Sequence, residues 1–169
     1  MKRLLVAALM LSSTITLAQT PAPQDAEVYI IHPQEGQTIK GPFTVRFGLR
    51  GMGVTRAGDT TANVGHHHLL VDTEGELSRT DPIPTDRRHL HFGGGQTETQ
   101  LDLPPGKHTL QLVLGDAEHK LFNPPVISKK ITVTVVDPDA PAVKHNVVRK
   151  RTVRAKATQR RTSGRPNSR

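Results

Sequence analysis

The chain has 169 residues, with 23 Lys and Arg against 15 Asp and Glu, a net charge of +8 and no cysteine. Without thiols there are no disulfides, thiolate metal sites or cysteine nucleophile, so stability has to come from an apolar core. With no tryptophan, one tyrosine and four phenylalanines there are few stacking platforms, which argues against sugar binding and against specific nucleic acid recognition.

At the start, Lys2 and Arg3 precede an apolar run from Leu4 to Leu11 and the small-residue stretch Thr16-Leu17-Ala18. This pattern reads as an export signal over residues 1–18, cut after Ala18, and the run is too short to span a bilayer. The mature protein is therefore expected to be periplasmic or secreted and not transmembrane. Residues 19–27, rich in Pro, Gln and Ala, read as a flexible lead.

Residues 28–137 carry the domain. Val28 to His32 is a short apolar strand, and Phe43, Val45, Phe47 and Leu49 alternate with Thr44, Arg46, Gly48 and Arg50, the period of two of a half-buried strand. Pro33 to Pro42 between them is turn chemistry, and Gly51 to Gly65 reads as a surface loop. His66 to Asp72 is the next strand, followed by the breaking sequence Asp81-Pro82-Ile83-Pro84. A short strand from His89 to Phe92 stops at Gly93-Gly94-Gly95, read as a turn. Gln96 to Leu103 alternates again, Leu110, Leu112 and Leu114 mark another strand after the turn at Pro104-Pro105-Gly106, and Lys130 to Val136 closes the series. Some seven short strands with no helical periodicity predict an all-β fold: a single antiparallel two-sheet sandwich of immunoglobulin-like type.

Residues 138–169 are predicted to form a disordered Arg/Lys-rich tail, because from Ala140 onward there are ten basic residues and no acidic one. The tail and the basic start account for more than the whole positive charge, which leaves residues 19–139 mildly acidic. Outside the cytoplasm such a tail suits an anionic envelope polymer or membrane surface, bound without specificity.

The chemistry lies in the histidines. Five of the nine fall in Gly65-His66-His67-His68-Leu69-Leu70-Val71-Asp72 and Arg88-His89-Leu90-His91-Phe92. Imidazoles at i and i+2 on a strand share a face about 7 Å apart, which suits two ligands of one ion. With Leu69 and Val71 turned to the core, His66 and His68 point together and His67 is structural; with Leu90 and Phe92 inward, His89 and His91 stand side by side. Neutral imidazole suits Zn(II) and Cu(II), and Asp72 offers a carboxylate to orient a ligand. No Gly-x-Ser-x-Gly nucleophile or Gly-Lys-Ser/Thr phosphate loop is present. Met52, the one methionine after the export signal, argues against a methionine-based copper carrier.

Four motifs in order resemble the bacterial exported family called domain of unknown function 4399. They are Ile31-His32-Pro33-Gln34-Glu35-Gly36 with Gly41 to Val54; Gly65 to Asp72; His91-Phe92-Gly93-Gly94-Gly95-Gln96-Thr97-Glu98; and Leu103 to Leu112. The resemblance covers about residues 28–136 and implies a periplasmic or secreted β-domain. It also implies further histidines in the stretch Gly115 to Pro125, where this chain keeps His119.

Two main functional readings follow, beside a third of small-molecule hydrolysis or metal-dependent redox catalysis at the same histidines. The first is a non-enzymatic exported module that binds copper or zinc through His66, His68, His89 and His91, with His119 as a loop ligand. The second is a structural or protein-interaction module of the cell envelope, whose histidines support its loops.

Overall fold

A computed structural model describes residues 19–139 of the chain. The expected export signal and the tail from Ala140 onward lie outside the described residues. Within them the fold is all β, with no helix, and hence no helix long and apolar enough to cross a membrane.

Nine strands follow one another: β1 (Glu27–His32), β2 (Thr38–Lys40), β3 (Phe43–Arg50), β4 (Gly53–Val54), β5 (Val64–Val71), β6 (His89–Phe92), β7 (Glu98–Leu101), β8 (Gly106–Gly115) and β9 (Ile131–Val136). One sheet has three strands in the order β1-β3-β7. The other has six, in the order β2-β9-β8-β5-β4 with β6 also paired to β5. Alternation decides which side chains turn inward. Phe43, Val45 and Phe47 of β3 are buried while Arg46 and Arg50 are exposed, and Val133 and Val135 of β9 are buried beside half-buried Thr132 and Thr134. One apolar cluster draws on every strand except β4: Val28, Ile39, the three β3 residues, Leu69, Val71, Phe92, Leu101, Leu110, Leu112, Leu114, Val133 and Val135 belong to it. The two sheets thus share a core.

The expectation of an antiparallel fold of about seven strands needs correcting in two places. β2 pairs in parallel with β9, and β4 pairs in parallel with β5. Both are two- or three-residue strands set within stretches that read as turn and loop, too short to show a period of two. Gly51 makes the approach to β4 possible: it sits at φ 75°, and a Cβ there would stand 2.8 Å from the Asp25 carbonyl oxygen.

Two departures bear on the site. Part of the lead expected to be flexible is fastened, since Pro21 forms a parallel bridge with Asn123. The six-stranded sheet also has a second apolar cluster on its other face, where Leu70 and Val113 meet Ile83 and Leu121 from the two long loops. Those loops cover the face that carries the histidines.

Candidate metal centre

β5 is the central element. His67, Leu69 and Val71 point into the shared core, opposite Leu114, Leu112 and Leu110 of β8, so His66 and His68 fall on the other face. On one side His66 lies opposite Gly115 and His68 opposite Val113. On its other edge β5 is shared: Val64 and Gly65 pair with β4, while His67 to Leu70 pair with β6. That pairing sets His91 opposite His68. The ligand nitrogens of His66, His68 and His91 all lie within 4.8 Å of one another, and the Nε2 atoms of His66 and His68 are 3.0 Å apart.

His119 arrives from the loop after β8. Its backbone is left-handed, with φ 65°, in a turn organised by Asp116. The Oδ1 atom of that side chain accepts the N–H groups of Glu118 and Lys120 at 2.9 Å each, and His119 N donates to the Asp116 carbonyl at 3.0 Å. Ile83 N donates to the His119 carbonyl at 2.7 Å, tying the turn to the preceding long loop. The imidazole meets the three strand histidines. Its ring centroid is 4.9 Å from His66, 4.8 Å from His91 and 6.0 Å from His68. Among the other three rings the separations are 4.9 to 5.0 Å.

Space for the rings depends on two glycines. A Cβ on Gly115 would lie 2.9 Å from His68 Nε2 and 3.4 Å from His66 Nε2, and one on Gly93 would lie 2.6 Å from His91 Nε2. Neither position admits a side chain without displacing an imidazole.

Burial makes these rings reluctant to charge. His66 and His68 are 0% exposed. Loss of hydration, then the neighbouring imidazoles His119 and His91, lowers the His66 pKa to about 4. Loss of hydration, followed by His66 and His91, lowers that of His68 to about 3. His91 is shifted downward by burial and by His119. His66, His68 and His91 are therefore neutral at pH 7, the form that donates a lone pair to a metal. One buried nitrogen on each of His66 (Nδ1), His68 (Nδ1) and His91 (Nε2) has no hydrogen-bond partner, and the same is true of Nε2 of the neighbouring core residue His67. Leaving such a group unpaired costs about 1–3 kcal/mol.

The remaining expected residues are elsewhere or otherwise engaged. His89 shares the face but lies one pair further along, opposite Leu70; its Nδ1 is 3.0 Å from both Asp86 carboxylate oxygens. The Arg88 N–H and the His89 ring in turn hold the Asp86 carboxyl below its usual range. His67 is in the core, donating from Nδ1 to the Gln96 carbonyl at 3.2 Å and packing on Phe47, the structural role read for it. Asp72, expected to orient a ligand, ends β5 with φ 52° and serves another histidine. It accepts from His108 Nδ1 and from Thr109 N, both at 2.7 Å. Of the glycine run, Gly94 N donates to Gln96 Oε1 and Gly95 N to the Phe92 carbonyl, so that turn is closed on itself. Gly115 and Asp116 carry no signal in the sequence beyond a small residue and a turn-forming acid at a strand end, and went unremarked there.

An all-β domain in which three histidines of one sheet face meet a fourth from a covering loop defines the kind of protein. The chain belongs to the family described as Domain of unknown function (DUF4399), whose family model matches residues 45–136. No curated protein matches it. Among solved structures, the endo-β-1,4-mannanase from Thermotoga petrophila is similar at 19% identity with a TM-score of 0.41. The likeness covers 68% of this chain and 20% of the mannanase chain, so the chain spans about a fifth of that protein.

Proposed function

We propose that this domain is a non-enzymatic module, working outside the cytoplasm, that binds one copper or zinc ion through His66, His68 and His91, with His119 as the fourth ligand. The observation that carries the reading is the arrangement of the four rings. A tetrahedral ion with nitrogens at about 2.0–2.1 Å would hold imidazole centroids about 5.2 Å apart. Five of the six centroid separations are 4.8 to 5.0 Å and the sixth is 6.0 Å. The depressed pKa values support it, since a metal binds the neutral imidazole. His89, bound to Asp86, is left out of the ligand set. Placement outside the cytoplasm rests on the export pattern at residues 1–18. The shared core of two sheets supports an immunoglobulin-like sandwich, and the run of ten basic residues supports attraction to anionic envelope material.

Calorimetric titration of the chain with Cu(II) and Zn(II) is expected to give one ion per chain, weakening as pH falls toward about 4, where protons begin to compete for the His66 and His68 imidazoles. The His66→Ala/His68→Ala double variant should lose that binding. Undiminished binding in the double variant would refute the ligand assignment. No binding by the wild type would leave the histidines to a structural role and favour an interaction module.

A further inference from the structure

The loop that carries His119 is gripped by the segment leading into the domain. Thr20 Oγ1 donates to Asp116 Oδ2 at 2.7 Å. Asn123 N donates to the Thr20 carbonyl at 2.8 Å, and Ala22 N donates to the Asn123 carbonyl at 3.0 Å. Residues 20–22 therefore hold the loop on both sides of His119, at Asp116 before it and at Asn123 after it. The two oxygens of one carboxylate divide the work. Oδ1 shapes the turn that bears His119, and Oδ2 receives the leading segment. Asp116 is buried at 6% exposure while Thr20 is at the surface.

Three of the four rings are held by strands: β5 has hydrogen-bonded neighbours on both sides, and β6 is held by its ladder to β5. His119 has only its loop, in a left-handed conformation that a β-carbon makes unfavourable. Such a segment opens locally at lower cost than a strand, so the ligand it carries is the first to leave an ion.

We infer that the leading segment is a working part of the metal centre: Thr20 and Asp116 are positioning residues that keep His119 against His66 and His91, and their bond sets how readily the ion escapes. This rests on the metal-binding reading above. Asp116 also supplies a negative charge that acts on His66, so the same side chain places the fourth ligand and offsets part of an ion's charge.

The test loads the full chain with Co(II), whose visible absorption is strong in tetrahedral sites and weak at higher coordination, and times its transfer to a chromophoric chelator. Thr20→Val should release cobalt about tenfold faster or more, the range typical when a group behind a ligand is lost, and should weaken the visible band, as His119→Ala does. Thr20→Ser should restore both, which a merely structural loss of packing would not. Asp116→Asn, which keeps Oδ1 for the two loop N–H groups, should also speed release. Wild-type spectra and rates in Thr20→Val, alongside weakened ones in His119→Ala, would overturn the role of the leading segment and leave the four-histidine site intact. Wild-type behaviour in His119→Ala would overturn it by removing His119 from the ligand set. Failure of the wild type to take up cobalt, zinc or copper would instead defeat the metal-binding reading on which it rests.

Discussion

Three histidines set how this domain responds to acid and base. In the metal-free protein, burial and neighbouring rings hold His66 near 4 and His68 near 3, whereas both titrate near 6.5 in the unfolded chain. As pH falls below 6.5 the unfolded chain takes up protons that the folded one refuses, so stability declines progressively toward those values. His108 works the other way. Burial disfavours its charged ring, but the Asp72 carboxylate and the Pro104 carbonyl, 2.7 and 2.8 Å from its two nitrogens, raise the pKa overall. Both partners are acceptors, so together they favour the doubly protonated, charged ring. Its contribution is complete below 6.5 and is lost as pH rises through the folded value. The metal-free domain should therefore be most stable near neutrality, with His66 and His68 together costing about 5 kcal/mol by pH 4.5. Urea midpoints measured across this range should fall steeply on the acid side in the wild type and more gently in His66→Gln/His68→Gln. His108→Gln should flatten the alkaline limb alone. Parallel acid limbs in the wild type and the double variant would show that these two rings are not the groups being titrated.

At the level of strands, the site is a matter of register and of room. β5 supplies two rings, β6 supplies the third by pairing His91 with His68, and β8 contributes the absence of a side chain at Gly115. Gly115→Ala would place a methyl 2.9 Å from His68 Nε2, and Gly93→Ala would place one 2.6 Å from His91 Nε2. Each is expected to abolish or severely weaken metal binding and to cost about 1–3 kcal/mol in the chelated domain, the usual range for overpacking. A titration and a urea melt on each variant check both parts; an alanine at 115 that binds metal normally would mean the rings can retreat. The strand faces were legible in the sequence because a period of two separates His66 and His68 from Leu69 and Val71. The register between β5 and β6 was not, and it is the register that selects His91 and leaves His89 opposite Leu70 within reach of Asp86. Nor could local pattern reveal β2 and β4, whose pairing is decided by distant strands. His119 was singled out by the family resemblance rather than by local pattern; the Asp116 turn that aims it depends on Thr20, 96 positions earlier.

Across the whole chain, charge and chemistry are divided. The described domain, residues 19–139, is mildly acidic and holds its histidines under two loops, while ten basic residues and no acid follow Ala140. An anionic surface attracts each basic residue near it by about 1 kcal/mol, over a distance that shrinks from about 10 Å at 0.1 M salt to about 3 Å at 1 M. The domain's net charge has the same sign as that surface, so adhesion is expected to belong to the segment after Asp139. The full chain is expected to sediment with vesicles rich in anionic lipid at 50 mM salt and to be released at 500 mM. A chain of residues 19–139 should stay in solution at both, yet take up metal with the same stoichiometry as one of residues 19–169, because the four histidines and Thr20 all lie within it. Retention of the shortened chain on the vesicles would place the contact on the domain, and loss of its metal would tie the basic segment to the histidine site.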